Sequence, residues 1–131
     1  MFTYNKIYYN SIAMNIIDCF MYYDEDMILD IRLNMLDKYI SHFIICEANF
    51  NHNGTKRELR FNINNFSKFK DKIIYIPLNN QPENLRIINE NDTILVKNSK
   101  ILDNALLREN FQRNFLQKKI VNFNEDDLIA I

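Results

Sequence analysis

Hydrophobic residues gather along this chain in four short runs separated by longer mixed stretches. The runs Ile16–Phe20, Phe43–Glu47, Lys72–Ile76 and Asp127–Ile131 are rich in β-branched side chains and do not alternate strictly with polar residues. Runs of that kind suit strands covered on both faces, as in a parallel sheet. Between the first two, Met27, Ile28, Ile31 and Met35 recur at helical spacing. The segment Asp24 to Tyr39 that carries them opens with three acids, where a helix dipole favours negative charge. Asn64 to Lys70 reads as a brief helix, and Asn104 to Ile120 has the clearest helical pattern of all. Strand, helix, strand, helix, strand, excursion, helix, strand is the order of an α/β domain with a mostly parallel sheet flanked by helices. The excursion covers residues 79–103, with Pro82, many Asn residues and a candidate short strand at Thr93–Val96. Residues 1–15 read as an N-terminal extension. One domain over 1–131 accounts for the whole pattern, since a chain of this size supports one core.

Composition narrows the chemistry. Sixteen basic and seventeen acidic residues leave a formal net charge of -1, without the basic surplus expected of a nucleic-acid binder. No apolar run reaches the roughly 18 residues of a membrane span, and the first fifteen residues do not form a signal peptide. The expected location is therefore cytoplasmic. Cys19 and Cys46 sit in apolar runs and are expected as buried, reduced thiols, and His42 and His52 form no ligand cluster with them.

Parallel α/β domains often bind nucleotides, yet the chain holds a single glycine, Gly54. A dinucleotide fingerprint needs three glycines and a P-loop needs two, so both are excluded in their ordinary forms. A nucleotide diphosphate bound here would need another source of positive charge, such as a divalent cation held by carboxylates.

Two charged features depart from simple packing. Arg32 falls among Ile28, Ile31, Met35 and Leu36 on the first helix and must reach a carboxylate or carbonyls, with Glu47 one candidate. It is read either as half of a structural ion pair or as a substrate contact. On the last helix Glu109 precedes Arg113 by four residues, the favourable order for a helical ion pair, either solvated or partly buried between two apolar rows.

The run Ile17-Asp-Cys-Phe20, then Ile31-Arg-Leu33 with Leu36-Asp37, Phe43 to Glu47, Gly54 and Lys56 resembles glycosyltransferase family 17. The same holds for Asp71-Lys-Ile-Ile74, Arg108-Glu-Asn-Phe-Gln-Arg-Asn114 and Glu125 to Ile131. The founding activity of that family is β-1,4-mannosyl-glycoprotein 4-β-N-acetylglucosaminyltransferase. The resemblance implies a GT-A-like fold in which this chain supplies the half that binds a nucleotide-sugar donor, a UDP-sugar, for transfer to a glycan acceptor. It also implies a divalent cation, Mn or Mg, held by an Asp-x-Asp element that follows the strand ending at Ile131. The chain is accordingly read as truncated before its metal ligands. Carried over residue by residue, the donor contacts implied are Asp18, Glu47, Lys56, Arg113 and Asn114, with Arg32 and Glu109 in structural ion pairs. Asp18 and Glu47 have core polar contacts as their alternative role, and Lys56 that of an exposed loop lysine. The competing function is a non-catalytic α/β domain that binds a nucleotide or a partner protein.

Overall fold

The computed structural model describes residues 14–120 and 123–131, so the expected extension at 1–15 lies almost wholly outside the described residues. Four strands, β1 (Ile16–Met21), β2 (His42–Ala48), β3 (Ile73–Leu78) and β4 (Leu128–Ala130), form one sheet in the order β3-β2-β1-β4. Every pairing is parallel, with Asp18 opposite Phe43 on one side and Ala130 on the other. The four runs expected as strands are therefore strands, and the α/β class follows. Pro77 lies inside β3, where its missing N–H is tolerated because β3 is an edge strand.

Alternation along the strands divides the core into two layers. Ile17, Cys19, Ile44, Cys46, Ile76 and Leu78 meet Leu116 of α2 (Ile94–Ile120) on one face. Phe43 and Ile45 meet Leu29 and Leu33 of α1 (Asp26–Leu36) on the other, with Phe66 and Phe69 from a 3-10 segment at Ile63–Phe69. This is the brief helix expected at 64–70. Cys19 and Cys46 are free and buried, as read from sequence.

The structure corrects two expectations. On α1 the stripe of Met27, Ile28, Ile31 and Met35 faces outward, while Leu29 and Leu33 are buried. The helix carries two apolar stripes, and spacing alone cannot choose between them. Turning the leucines inward leaves Arg32 at the border of the packed face, close enough to bond a carboxylate on β1.

The second correction concerns the excursion. Thr93–Val96 is not a strand: α2 begins at Ile94, shortening the irregular stretch to residues 79–93. Local β-branched content suggested a strand, but no Pro or Gly interrupts 94–120, and the Thr93 hydroxyl accepts from the Val96 N–H at the helix start. Among the described residues no helix is long and apolar enough to cross a membrane.

Candidate functional site

Because all strands are parallel, their carboxyl ends share one rim, where open α/β sheets place ligands. Two hollows flank the end of β1. One, of about 430 Å³, opens on the β2 side and is lined by Tyr22, Tyr23, Phe50, Asn51, His52, Arg57 and Gln112 with Met21 and Ala48. The other, of about 340 Å³, lies toward β4 and is lined by Cys19, Phe20, Met21, Arg32, Arg113, Leu116 and Ile131. Met21 borders both, and α2 supplies Gln112 to the first and its neighbour Arg113 to the second. The two hollows thus adjoin across the end of a single strand.

A polar network supports the first hollow. Glu47, at the end of β2, is 0% exposed, which would be costly for a lone carboxylate. It accepts from the backbone N–H groups of Arg60 at 2.8 Å and Phe61 at 3.0 Å, and from the Tyr75 hydroxyl at 2.8 Å. Arg57 adds a guanidinium 3.1 Å away. Arg57 also donates to the Ala48 carbonyl at 2.9 Å and to Asp24 at 2.8 Å, and its guanidinium lies 4.5 Å from the centre of the Tyr23 ring. Asp24 takes a left-handed backbone conformation, φ 59°, at the turn from β1 into α1, a turn tied down by that bond to Arg57. Tyr22 donates a short hydrogen bond to Asp26. Burial, then that bond, push the Tyr22 hydroxyl well above the ordinary phenol range, so it stays a proton donor.

One side of α2 holds the rim loops in place. Asn104, Arg108 and Gln112, spaced four apart, are buried polar residues above Leu116. Gln112 donates to the Cys46 carbonyl at 3.2 Å. Arg108 donates to the Gln81 side chain at 2.6 Å and to the His52 carbonyl at 3.0 Å. Asn104 both accepts from and donates to the Arg86 backbone, at 2.7 and 2.9 Å. Gly54 lies against this side of the helix with φ 91°, and a Cβ there would come within 2.6 Å of the Arg108 guanidinium. The backbone angle calls for glycine, and any side chain here would also make the Arg108 guanidinium shift.

The residues singled out from sequence fall into different places. Asp18, 1% exposed, is gripped by Arg32 through two bonds of 2.6 and 2.7 Å, so Arg32 pairs with Asp18 and not with Glu47. The Arg32 side chain remains 41% exposed and crosses the Phe20 ring at 4.3 Å. The bond to Asp18 holds the Arg32 guanidinium protonated more firmly than usual. Glu109 and Arg113 form the expected pair, 2.9 Å apart and partly open to solvent, and the guanidinium keeps the Glu109 carboxyl below its usual range. Arg113 and Arg32 come together on the second hollow. Lys56 and Asn114 are exposed and line neither hollow. Phe20 to Tyr23, at the end of β1, divide between the hollows: Phe20 and Met21 border the one toward β4, and Met21, Tyr22 and Tyr23 the other.

Sequence reasoning missed the roles of Arg57, Arg108 and Gln112. For Arg108 and Gln112 the available signal was their spacing: with Asn104 they recur every four positions along α2, on a row that ends at the apolar Leu116.

Neither hollow suits a divalent cation. No carboxylate lines them, and among the described residues no group of three or more His, Cys, Asp and Glu side chains is placed to hold a metal. The cationic groups bordering the groove are arginines.

Compared with known proteins, residues 6–129 match the model of Glycosyltransferase family 17, which spans nearly the whole chain. No curated protein and no solved structure matches.

Proposed function

Because the chain belongs to glycosyltransferase family 17, we propose that the groove across the sheet rim binds the nucleotide-sugar donor of a glycosyl transfer. The single observation that carries this reading is the pair of adjoining hollows at the carboxyl end of β1, one lined mainly by apolar and aromatic groups with Arg57 among them, and the other carrying the exposed arginines Arg32 and Arg113 among apolar residues. A nucleotide sugar has the same division, with a flat base at one end and a doubly charged diphosphate in the middle. The parallel order β3-β2-β1-β4 supports a GT-A-like assignment for the fold.

In this reading Arg113 and Arg32 face the diphosphate. They offset the negative charge that grows on it as the sugar departs, a role that preorganised cationic groups fill at low reorganisation cost. A divalent cation, which the family implies, would find no carboxylate set in these hollows, so the chain's own contribution to the phosphates is its arginines. The donor is a UDP-sugar, the sugar N-acetylglucosamine and the acceptor a glycan, all three taken from the family's founding activity.

Calorimetric titration of the chain with UDP and UDP-N-acetylglucosamine tests the proposal. Saturable one-to-one binding is expected, weakened about tenfold or more in Arg113→Ala, the cost typical of a lost charge-assisted hydrogen bond. Wild-type protein that binds neither compound would refute it. Binding of UDP without transfer to any glycan would assign the chain to a non-catalytic nucleotide-binding module instead.

A further inference from the structure

We infer that Tyr23 is the platform on which the nucleobase of the donor stacks, an assignment that rests on the groove being the nucleotide-sugar site. Tyr23 is 60% exposed, and an aromatic ring on a surface normally swings among several rotamers. Here the ring is held at its hydroxyl and over its face, and Glu25 holds the backbone that carries it. Its hydroxyl donates to the Asn51 side chain at 2.9 Å, its backbone N–H donates to the Glu25 carboxylate at 2.9 Å, and the Arg57 guanidinium lies 4.5 Å from the ring centre. A ring fixed before the ligand arrives spares the complex the entropy of ordering it.

Arg57 is itself anchored, being bonded to Asp24, Glu47 and the Ala48 carbonyl. The restraint on an exposed ring therefore runs down to a carboxylate buried at the end of β2. A structural arginine needs no aromatic partner, and an ordinary surface tyrosine needs no such foundation. The Arg57 side chain is only 9% exposed and poorly placed to serve as a phosphate ligand, whereas those of Arg32 and Arg113, each paired with one carboxylate, are 41% and 48% exposed and both stand on the β4 side. That separation orients the ligand: diphosphate toward β4, base toward β2. The hollow beside Tyr23, about 430 Å³, falls within the range of small-ligand pockets, and Asn51, His52 and Gln112 offer donors and acceptors for the edge of a base.

Titration of wild type, Tyr23→Phe and Tyr23→Ala with UDP and with uridine separates the possibilities, with circular dichroism and urea melts confirming each fold. Stacking of a base on an aromatic side chain predicts a loss of about tenfold or more in affinity for both ligands in Tyr23→Ala. Tyr23→Phe should retain most of the affinity, because the face and not the hydroxyl is used. Arg57→Lys, which keeps the charge but not the planar backing, should fall between them. Wild type that binds UDP with Tyr23→Ala unchanged overturns the platform while leaving the groove assignment intact. Equal losses in Tyr23→Phe and Tyr23→Ala would likewise overturn it, assigning the effect to the hydroxyl. Wild type that binds neither ligand overturns both readings together.

Discussion

Replacing Arg32 by methionine tests how β1 tolerates a carboxylate in its middle. Asp18 is 1% exposed and receives two charge-assisted bonds from Arg32, at 2.6 and 2.7 Å. Methionine keeps much of the stem's packing against Phe20 but removes the guanidinium, leaving a buried carboxylate without its counter-charge. Removing one partner of a fully buried ion pair costs about 3–5 kcal/mol. The Arg32 side chain is 41% exposed, so water can enter along the path it vacates and solvate part of the charge. The expected loss therefore falls below that range, at about 2–3 kcal/mol. The double variant Asp18→Asn with Arg32→Met removes both charges and should lose about 1 kcal/mol less than Arg32→Met alone, since an amide is cheaper to bury than a carboxylate. Urea denaturation at neutral pH, with unchanged m-values confirming comparable unfolding, measures each. An Arg32→Met variant within about 0.5 kcal/mol of wild type, or a double variant less stable than the single, would refute the argument.

Two further outcomes follow from the packing of the rim and the core. Gly54→Ala should destabilise by about 2–4 kcal/mol, combining the penalty for a side chain at φ 91° with displacement of the Arg108 guanidinium from Gln81 and His52; thermal melts check it. Burial, with adjacent carboxylates adding to it, raises the thiols of Cys19 and Cys46 to about 11, so at pH 8 neither should react with a thiol-specific reagent until the chain is unfolded, and counting reactive thiols with and without denaturant reads this directly.

The strands were legible because a parallel sheet buried on both faces writes itself as bare apolar runs, as in Phe43 to Glu47. The helices were harder. α1 offers two apolar stripes, and the choice between them depends on where Asp18 lies across the interface, which periodicity cannot express. The start of α2 was hidden by Thr93, Ile94 and Val96, whose β-branched side chains suggest a strand locally although the capping hydroxyl of Thr93 opens a helix. The site was least legible of all. Arg108 and Gln112 are buried where Gln81, the His52 carbonyl and the Cys46 carbonyl of β2 meet them, and those partners lie from 27 to 66 positions away in sequence. Glu47, a donor contact implied by the family resemblance with core polar contacts as its alternative role, meets four polar partners at the end of β2, none of them legible from its place in the sequence.

The short pairing of β4 with β1 has a consequence for how the molecule comes into being. Asn15 bonds Asp127 across 112 positions, and only three residues of β4 join the ladder. On a nascent chain emerging from the ribosome, β1 must wait with one flank open until almost all of the described residues have been synthesised. The pairing with β2 is already available by then, but each hollow takes a side chain from α2, Gln112 for one and Arg113 for the other, so both wait for that late helix and the arginine-bordered one waits for Ile131 as well.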